Sequence, residues 1–239
     1  MFKQLSVLMT TLYLFSLNVS AYEYRVGIIE YPPHAQLENK LPNGRIVDYV
    51  QAIITSHGHQ VKLSASPVKR ALKRLAEGDL DILLPIEAST ENILTFTKPL
   101  FKLVPGLCFQ KQDFLPILSA THRFKGMKVG HTDGIDITKT LDGSGAKLVP
   151  LKGKFALERG LKMLKAGRFD AFYHPNPIFL YHRNNPNSKH VACSYFHGLS
   201  SNTYVAVSPQ LNEERRVLLE GAFNSMMENE SYTDFFNEL

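Results

Sequence analysis

The sequence is poor in cysteine, and only one stretch of it is long and apolar. Cysteine occurs at Cys108 and Cys193 and nowhere else in 239 residues. Neither closely follows the N-terminal apolar stretch, which excludes a lipid-anchored cysteine there. No second apolar stretch approaches the roughly 20 residues of a membrane span, so the remainder is expected to be soluble. Motifs that carry chemistry are missing as well: there is no nucleophile elbow, no phosphate loop and no His-Glu-x-x-His run. Charge of neither sign dominates, at a formal net +5. The densest basic cluster is Lys69, Arg70, Lys73 and Arg74, and its spacing places it on the outer face of a helix. That pattern is a solvated face, not a nucleic-acid footprint, and no nucleic-acid partner is expected. Nine histidines are scattered along the chain. His57 and His59 flank Gly58 with no third ligand in sight, whereas zinc draws on three or four convergent ligands. No metal and no other cofactor is expected.

What is present begins with an export pattern. Met1, Phe2 and Lys3 form a short positive start, Leu5 to Leu17 are apolar or small and hydroxylic, and Val19-Ser20-Ala21 offers small residues at a cleavage site. This is the pattern of a secretory signal peptide over 1–21, and it predicts a periplasmic protein starting at residue 22. Cleavage removes one lysine and no acid. In that oxidising compartment the two cysteines can pair, but nothing in the sequence shows that they meet.

The organisation lies in an internal echo. Leu75-Ala-Glu-Gly78-Asp-Leu-Asp81-Ile-Leu and Leu164-Lys-Ala-Gly167-Arg-Phe-Asp170-Ala-Phe share one plan. In each, a helix ends at a glycine, two residues pass, and an aspartate opens a strand. Val68, Ala71, Leu72 and Leu75 keep helical spacing before the first glycine, as do Leu157, Leu161 and Leu164 before the second. Glycine suits the left-handed position that ends many helices. Ser66-Pro67 predicts an N-cap oxygen and a proline in the first turn. Each half also opens on a similar strand, Tyr24 to Ile29 and Met127 to Gly130. A helix over Ile46–Ser56 follows the first, with Val47, Val50, Ile53 and Ile54 on one face. Strands alternating with helices imply mainly parallel sheets covered on both faces. The expected fold is α/β, in two lobes of like architecture. After a strand at Tyr204 to Ser208, Asn212 predicts the cap of a helix with Glu213 and Glu214 in its first turn. That helix, and a short last one holding Tyr232, Phe235 and Phe236, are expected to return to the first lobe.

These pieces carry a family likeness. Pro32-Pro33 after the opening strand, Gly44 to Asp48, Lys69-Arg70, Thr90-Glu91, Phe96 to Pro99, Phe124 to Gly130 and Asn229 to Tyr232 stand in the order seen in bacterial solute-binding proteins of family 3. Nearly all of the chain beyond residue 21 resembles that family, which includes the amino-acid-binding proteins of ABC transporters. The resemblance implies the type II periplasmic binding protein fold. Lobe one would span 22–108 plus 203–239 and lobe two 109–202, joined by two hinge strands and closing on a solute. It also implies a monomer that does no chemistry and hands its ligand to an inner-membrane ABC permease. A sensor receptor is the other partner of such a module, and a dehydratase-like enzyme on the same fold is the remaining alternative.

Three departures bear on the ligand. The resemblance implies an arginine after the Thr-x-Glu stretch to hold an α-carboxylate by its planar fork, but Asn92 follows Glu91. It implies an aspartate after the Asp-Ala strand to hold an α-amino group, but His174, Pro175 and Asn176 follow. Val68 stands where many relatives carry tryptophan. The family's ordinary α-amino-acid ligand is therefore not expected. Carried over position by position, the cleft would be lined by Glu30, Tyr31 and His34, then Arg70, then Glu87 and Ser89. Thr132, Asp133 and Gly134 would face them from the second lobe, with His174 and Asn176. Plainer roles stay open: Glu30 and His34 as solvated loop residues, Arg70 on the outer basic face, Thr132 and Asp133 as caps of a following helix, His174 as a strand end. Glu30 and Glu87 favour a cationic or hydroxylated ligand. Arg70 and a helix N-terminus after Thr132 favour an acid.

Overall fold

The computed structural model describes residues 21–32, 34–87, 93–113, 115, 118, 124–175 and 189–232. The export signal read over 1–21 therefore lies outside the described residues, save for Ala21. So do Ser89, the Thr90-Glu91-Asn92 stretch, Asn176 and the last helix beyond Tyr232. Among the described residues no helix is long and apolar enough to cross a membrane.

The chain builds two five-stranded sheets on one plan. In chain order the first half gives β1 (Glu23–Ile28), a small hairpin of β2 (Gln36–Glu38) and β3 (Leu41–Asn43), α1 (Arg45–Ser56), β4 (Gln60–Ala65), α2 (Val68–Ala76) and β5 (Ile82–Glu87). After β6 (Phe101–Leu103) and β7 (Pro105–Gln110) come β8 (Lys128–Thr132), α3 (Thr138–Leu141), β9 (Lys147–Leu151), α4 (Ala156–Lys165) and β10 (Ala171–Pro175). The chain then runs through β11 (Val191–Tyr195) and β12 (Ser201–Val207) to α5 (Glu213–Asn229). The strand orders are β4-β1-β5-β12-β6 and β11-β7-β10-β8-β9. β4, β1 and β5 run parallel, as do β9, β8 and β10, and the last two strands of each sheet join antiparallel. The α/β fold with two mainly parallel sheets is thus the one expected.

The echo has a physical basis. Gly78 and Gly167 take φ of +80° and +67°. The Gly78 and Asp79 N–H groups donate to the carbonyls of Leu75 and Arg74, and those of Gly167 and Arg168 to Leu164 and Met163. Both are Schellman endings that satisfy carbonyls otherwise left bare. The aspartates that follow do the same job twice. Asp81 N–H donates to the Arg25 carbonyl at 2.8 Å, and its Oδ2 accepts the Arg25 N–H at 2.7 Å. Asp170 repeats the pair with Lys128, at 2.9 and 2.7 Å. Each aspartate clasps the start of its half's opening strand and so fixes the register of strand and helix. Asp81 is buried and also pairs with the Arg25 guanidinium at 2.6 Å. The helix before it begins at Val68, one residue later than Ser66-Pro67 suggested, and no side chain caps it. The Ser66 hydroxyl instead accepts from Arg74.

Burial in β5 is continuous from Ile82 to Ile86, as a sheet covered on both faces requires. In β5, Ile82 and Leu84 face the core beneath α1 and α5, while Leu83 and Ile86 face α2. The returning α5 places Leu219, Ala222 and Phe223 in the first of these cores, and Asn212 caps it by accepting the Glu214 N–H at 2.8 Å. In the second sheet Leu157, Leu161 and Leu164 of α4 pack on Phe172 and Val191. The chain crosses between sheets at Val104 and again over 196–200. Pro105 to Cys108, read from the sequence as the end of the first lobe, therefore stand in the second sheet, and Ser201 and Asn202 in the first.

Cys108 and Cys193 lie directly opposite each other on β7 and β11 and form a disulfide. The bond ties positions 85 residues apart, so it restricts the unfolded chain strongly. We expect Cys108→Ala with Cys193→Ala to lower unfolding free energy by about 2–4 kcal/mol. Denaturant midpoints of the double variant, and of the parent with and without reductant, check this.

Candidate functional site

The C-terminal ends of the parallel strands of the two sheets face each other, which is where open α/β sheets bind ligands. Residues after β1, β4 and β8 and at the ends of β5 and β10 meet there. Two adjoining cavities, of about 30 and 40 Å³, fill the cleft. The first is lined by Glu30, Tyr31, Ser66, Thr132, Lys154 and His174 among others, and the second by Glu87, Gly134, Asp136 and Thr203 among others. Ile29, Tyr31, Val68 and Ile135 line both. A larger open groove of about 570 Å³ follows the crossing segments, with Lys102 and residues 195–200. It shares no lining residue with the two cavities.

The cleft is closed by contacts between the lobes. Glu30 Oε2 accepts the Phe155 N–H at 2.7 Å, across from β1 to the start of α4. Phe155 holds a left-handed backbone, φ 55° and ψ 35°, which costs a non-glycine residue about 1–2 kcal/mol. Lys69 Nζ lies 2.8 Å from Asp133 Oδ1, but the lysine is largely exposed and the pair adds little. Gly134, at φ +95°, backs onto Val68: a Cβ there would stand 2.9 Å from the Val68 Cβ. Small residues on both sides let the lobes meet, in place of the large aromatic that the resemblance implied at position 68. Tyr31 stacks on His174 from the opposite lobe, with ring centroids 5.6 Å apart.

The expected site residues fall into three groups. Glu30, Tyr31, Glu87, Thr132, Gly134 and His174 line the cavities, and Asp133 stands at the rim on Lys69. Arg70 is exposed on α2 and lines neither cavity. His34 is buried behind Tyr31, between it and Phe101, with Nδ1 at 3.0 Å from the Tyr232 hydroxyl. Burial lowers its pKa to about 4. His34 thus ties the chain end to the first lobe. Thr132 and Asp133 do not cap a helix, because α3 is one short turn starting at Thr138. The helix N-terminus that favoured an acid is absent from that loop, and Arg70 is outside the cavities.

Two charged residues of the lining were not anticipated, Asp136 and Lys154. Asp136 lies two residues past Gly134, and reading that loop further would have found it. Lys154 sits in a Lys-Gly-Lys turn whose direction only the packing of α4 sets. Burial raises the Glu30 carboxyl although the Phe155 N–H opposes this. Burial also raises the Tyr31 and Tyr173 hydroxyls, and the charge of Glu87 adds to both.

No family model matches the chain, and no curated protein matches it. Solved structures do. An ancestral arginine-binding protein bound to arginine is 22% identical, with a TM-score of 0.73 over 90% of this chain and 97% of that one. An ancestral amino acid-binding protein, a precursor of cyclohexadienyl dehydratase, is 17% identical, with a TM-score of 0.73 over 90% and 94%. An amino acid ABC transporter substrate-binding protein, AbpA from Streptococcus pneumoniae, bound to L-arginine, is 18% identical, with a TM-score of 0.67 over 87% and 90%. At such identities the likeness is one of fold, and the chain has the two-lobed type II periplasmic binding protein fold.

Two outcomes test this geometry. His34 titrates near 6.5 when unfolded and near 4 when folded, so the unfolded chain binds the extra proton between those values. Stability conferred by neutral His34 is full above pH 6.5 and is lost as pH falls toward 4, by about 3 kcal/mol. A His34→Gln variant should show a shallower slope in urea unfolding over that range. Gly134→Ala should hold the lobes apart, seen as a larger radius of gyration in small-angle X-ray scattering. Adding Val68→Gly, which removes the Cβ and Cγ1 that the new methyl group would meet, should bring the lobes closer again.

Proposed function

We propose that this chain is a divergent family 3 solute-binding protein of the periplasm. It captures a small polar solute between its lobes and delivers it to an inner-membrane ABC-type permease. The single observation that carries this reading is the polar, two-sided closure of the cleft. Glu30 reaches across to the Phe155 N–H, and Tyr31 stacks on His174, over cavities walled by both sheets. Contacts made by both lobes around a narrow cavity suit capture by hinge closure, with the solute removed from water and held by a few polar groups. The lobes are 22–108 plus 203–239 and 109–202 to within the few residues of each crossing. Readout of the closed form by a permease is favoured by the likeness to an ABC transporter substrate-binding protein. Capture without catalysis is favoured by neighbours that are binding proteins.

A thermal-shift screen checks this. Protein freed of ligand by unfolding and refolding is heated with amino acids, amines, small acids and sugars. A true solute at hundredfold excess over its dissociation constant should add about 2.7 kcal/mol to stability and raise the melting point visibly. A flat screen would overturn the receptor reading.

A further inference from the structure

The Glu30 contact across the cleft has a second half, on the far side of one peptide unit. The Phe155 N–H, which Glu30 Oε2 accepts at 2.7 Å, shares its peptide with the Lys154 carbonyl. In a trans peptide these two groups point in opposite directions. The Lys154 carbonyl accepts from Arg159 Nη1 at 3.1 Å, and the same nitrogen donates to the Lys152 carbonyl at 2.7 Å. Arg159 also donates its own N–H to the Phe155 carbonyl at 3.0 Å. One residue thus holds the carbonyls of Lys152, Lys154 and Phe155 together.

The turn over 152–155 needs such a hold. Gly153 lies at φ +92° and Phe155 at φ 55°, both left-handed. The elements on either side are anchored: β9 ends at Leu151 and α4 starts with Ala156 and Leu157, all in one core. Phe155 itself is half-exposed, so packing does not fix its peptide. Arg159 is exposed and lines neither cavity. A cationic donor on a carbonyl polarises the amide and strengthens the N–H on its other side. Glu30 faces Lys154, Glu158 and Arg159 of the second lobe, with Tyr31, Thr132 and His174 around the same cavity. Burial raises its carboxyl and Glu158 adds to the rise, while the Phe155 N–H, Lys154 and Arg159 oppose it.

Resting on the reading of this cleft as one that closes on a solute, we infer that Arg159 is the positioning residue of an interlobe latch. Its guanidinium fixes and polarises the peptide between Lys154 and Phe155, and through that peptide it acts on Glu30 of the opposite lobe. The cation and the carboxylate are joined by two hydrogen bonds to one peptide unit, without touching each other. The latch sets how firmly the lobes close from a position outside the solute cavities.

Amide NMR of the refolded, ligand-free protein tests the inference, with Arg159→Ala, Glu30→Ala and the double variant. In the parent the Phe155 amide signal should follow a titration whose midpoint lies above the ordinary glutamate value, and Glu30→Ala should abolish it. Arg159→Ala should abolish the same titration. It should also speed Phe155 amide exchange by about tenfold or more, the factor carried by loss of one charge-assisted hydrogen bond. Added to Glu30→Ala, it should speed exchange little further, because the two residues act as one unit. Circular dichroism checks folding, and Arg159→Gln replaces the alanine variant if that one unfolds. Unchanged titration and exchange in the folded Arg159 variant would overturn the inference. An equal effect in both backgrounds would do the same, since Arg159 would then serve the second lobe alone. No solute enters this experiment: a latch that fails here leaves capture standing, and a flat thermal-shift screen overturns capture but not the latch.

Discussion

A parallel run of three strands leaves the outer edge of its third strand bare. Unpaired N–H and C=O groups along such an edge must be covered. In this protein the covering strand for each sheet arrives from the other sheet. β7 leaves the first lobe at Val104 to pair with β10, and β12 leaves the second through 196–200 to pair with β5. Satisfying two edges therefore ties the lobes together twice, at neighbouring strands. The crossings lie beside the ends of β5 and β10, so the cleft opens where Glu87 and His174 finish their strands. Hinge, cleft and lining residues all follow from this exchange.

The cleft walls combine features that a rigid core would avoid. Glu30 is withdrawn from water with a backbone N–H as its partner, and that N–H belongs to Phe155, whose backbone is left-handed. Gly134 and Val68 meet with no room for a further methyl group. Strained backbone and under-compensated charge are retained at sites where a partner is expected to relieve them. Behind the cleft the environment changes. His34, Phe101 and Tyr232 form a packed aromatic group that is structural, and the Cys108–Cys193 bond lies in the core beneath α4. The packed core and the cleft lining thus occupy separate layers of the same strands.

Much of the plan was legible because it is local. Gly78 and Gly167 end helices through bonds to carbonyls three and five residues back, and Asn212 caps α5 through an N–H two residues on. Such contacts are encoded within a short window, so spacing and residue type suffice to read them. The Ser66 cap failed for a reason the window does not contain: Arg74 takes the hydroxyl. Arg70 and His34 failed as lining residues for the same kind of reason. Helix spacing shows which residues share a face but not which neighbour covers it: Tyr31, Phe101 and the returning Tyr232 bury His34 together.

By itself the sequence determined the two α/β halves, the strand and helix order and the glycine helix ends of the repeat. Each rests on periodicity or on hydrogen bonds between near neighbours in the chain or in the repeat. Tertiary structure alone decided which sheet β7 joins, that Cys108 faces Cys193, and that Asp136 and Lys154 share the cleft with Glu30 and Glu87. Those outcomes depend on how far-separated strands pair and how two lobes meet, and no local pattern of residues specifies either.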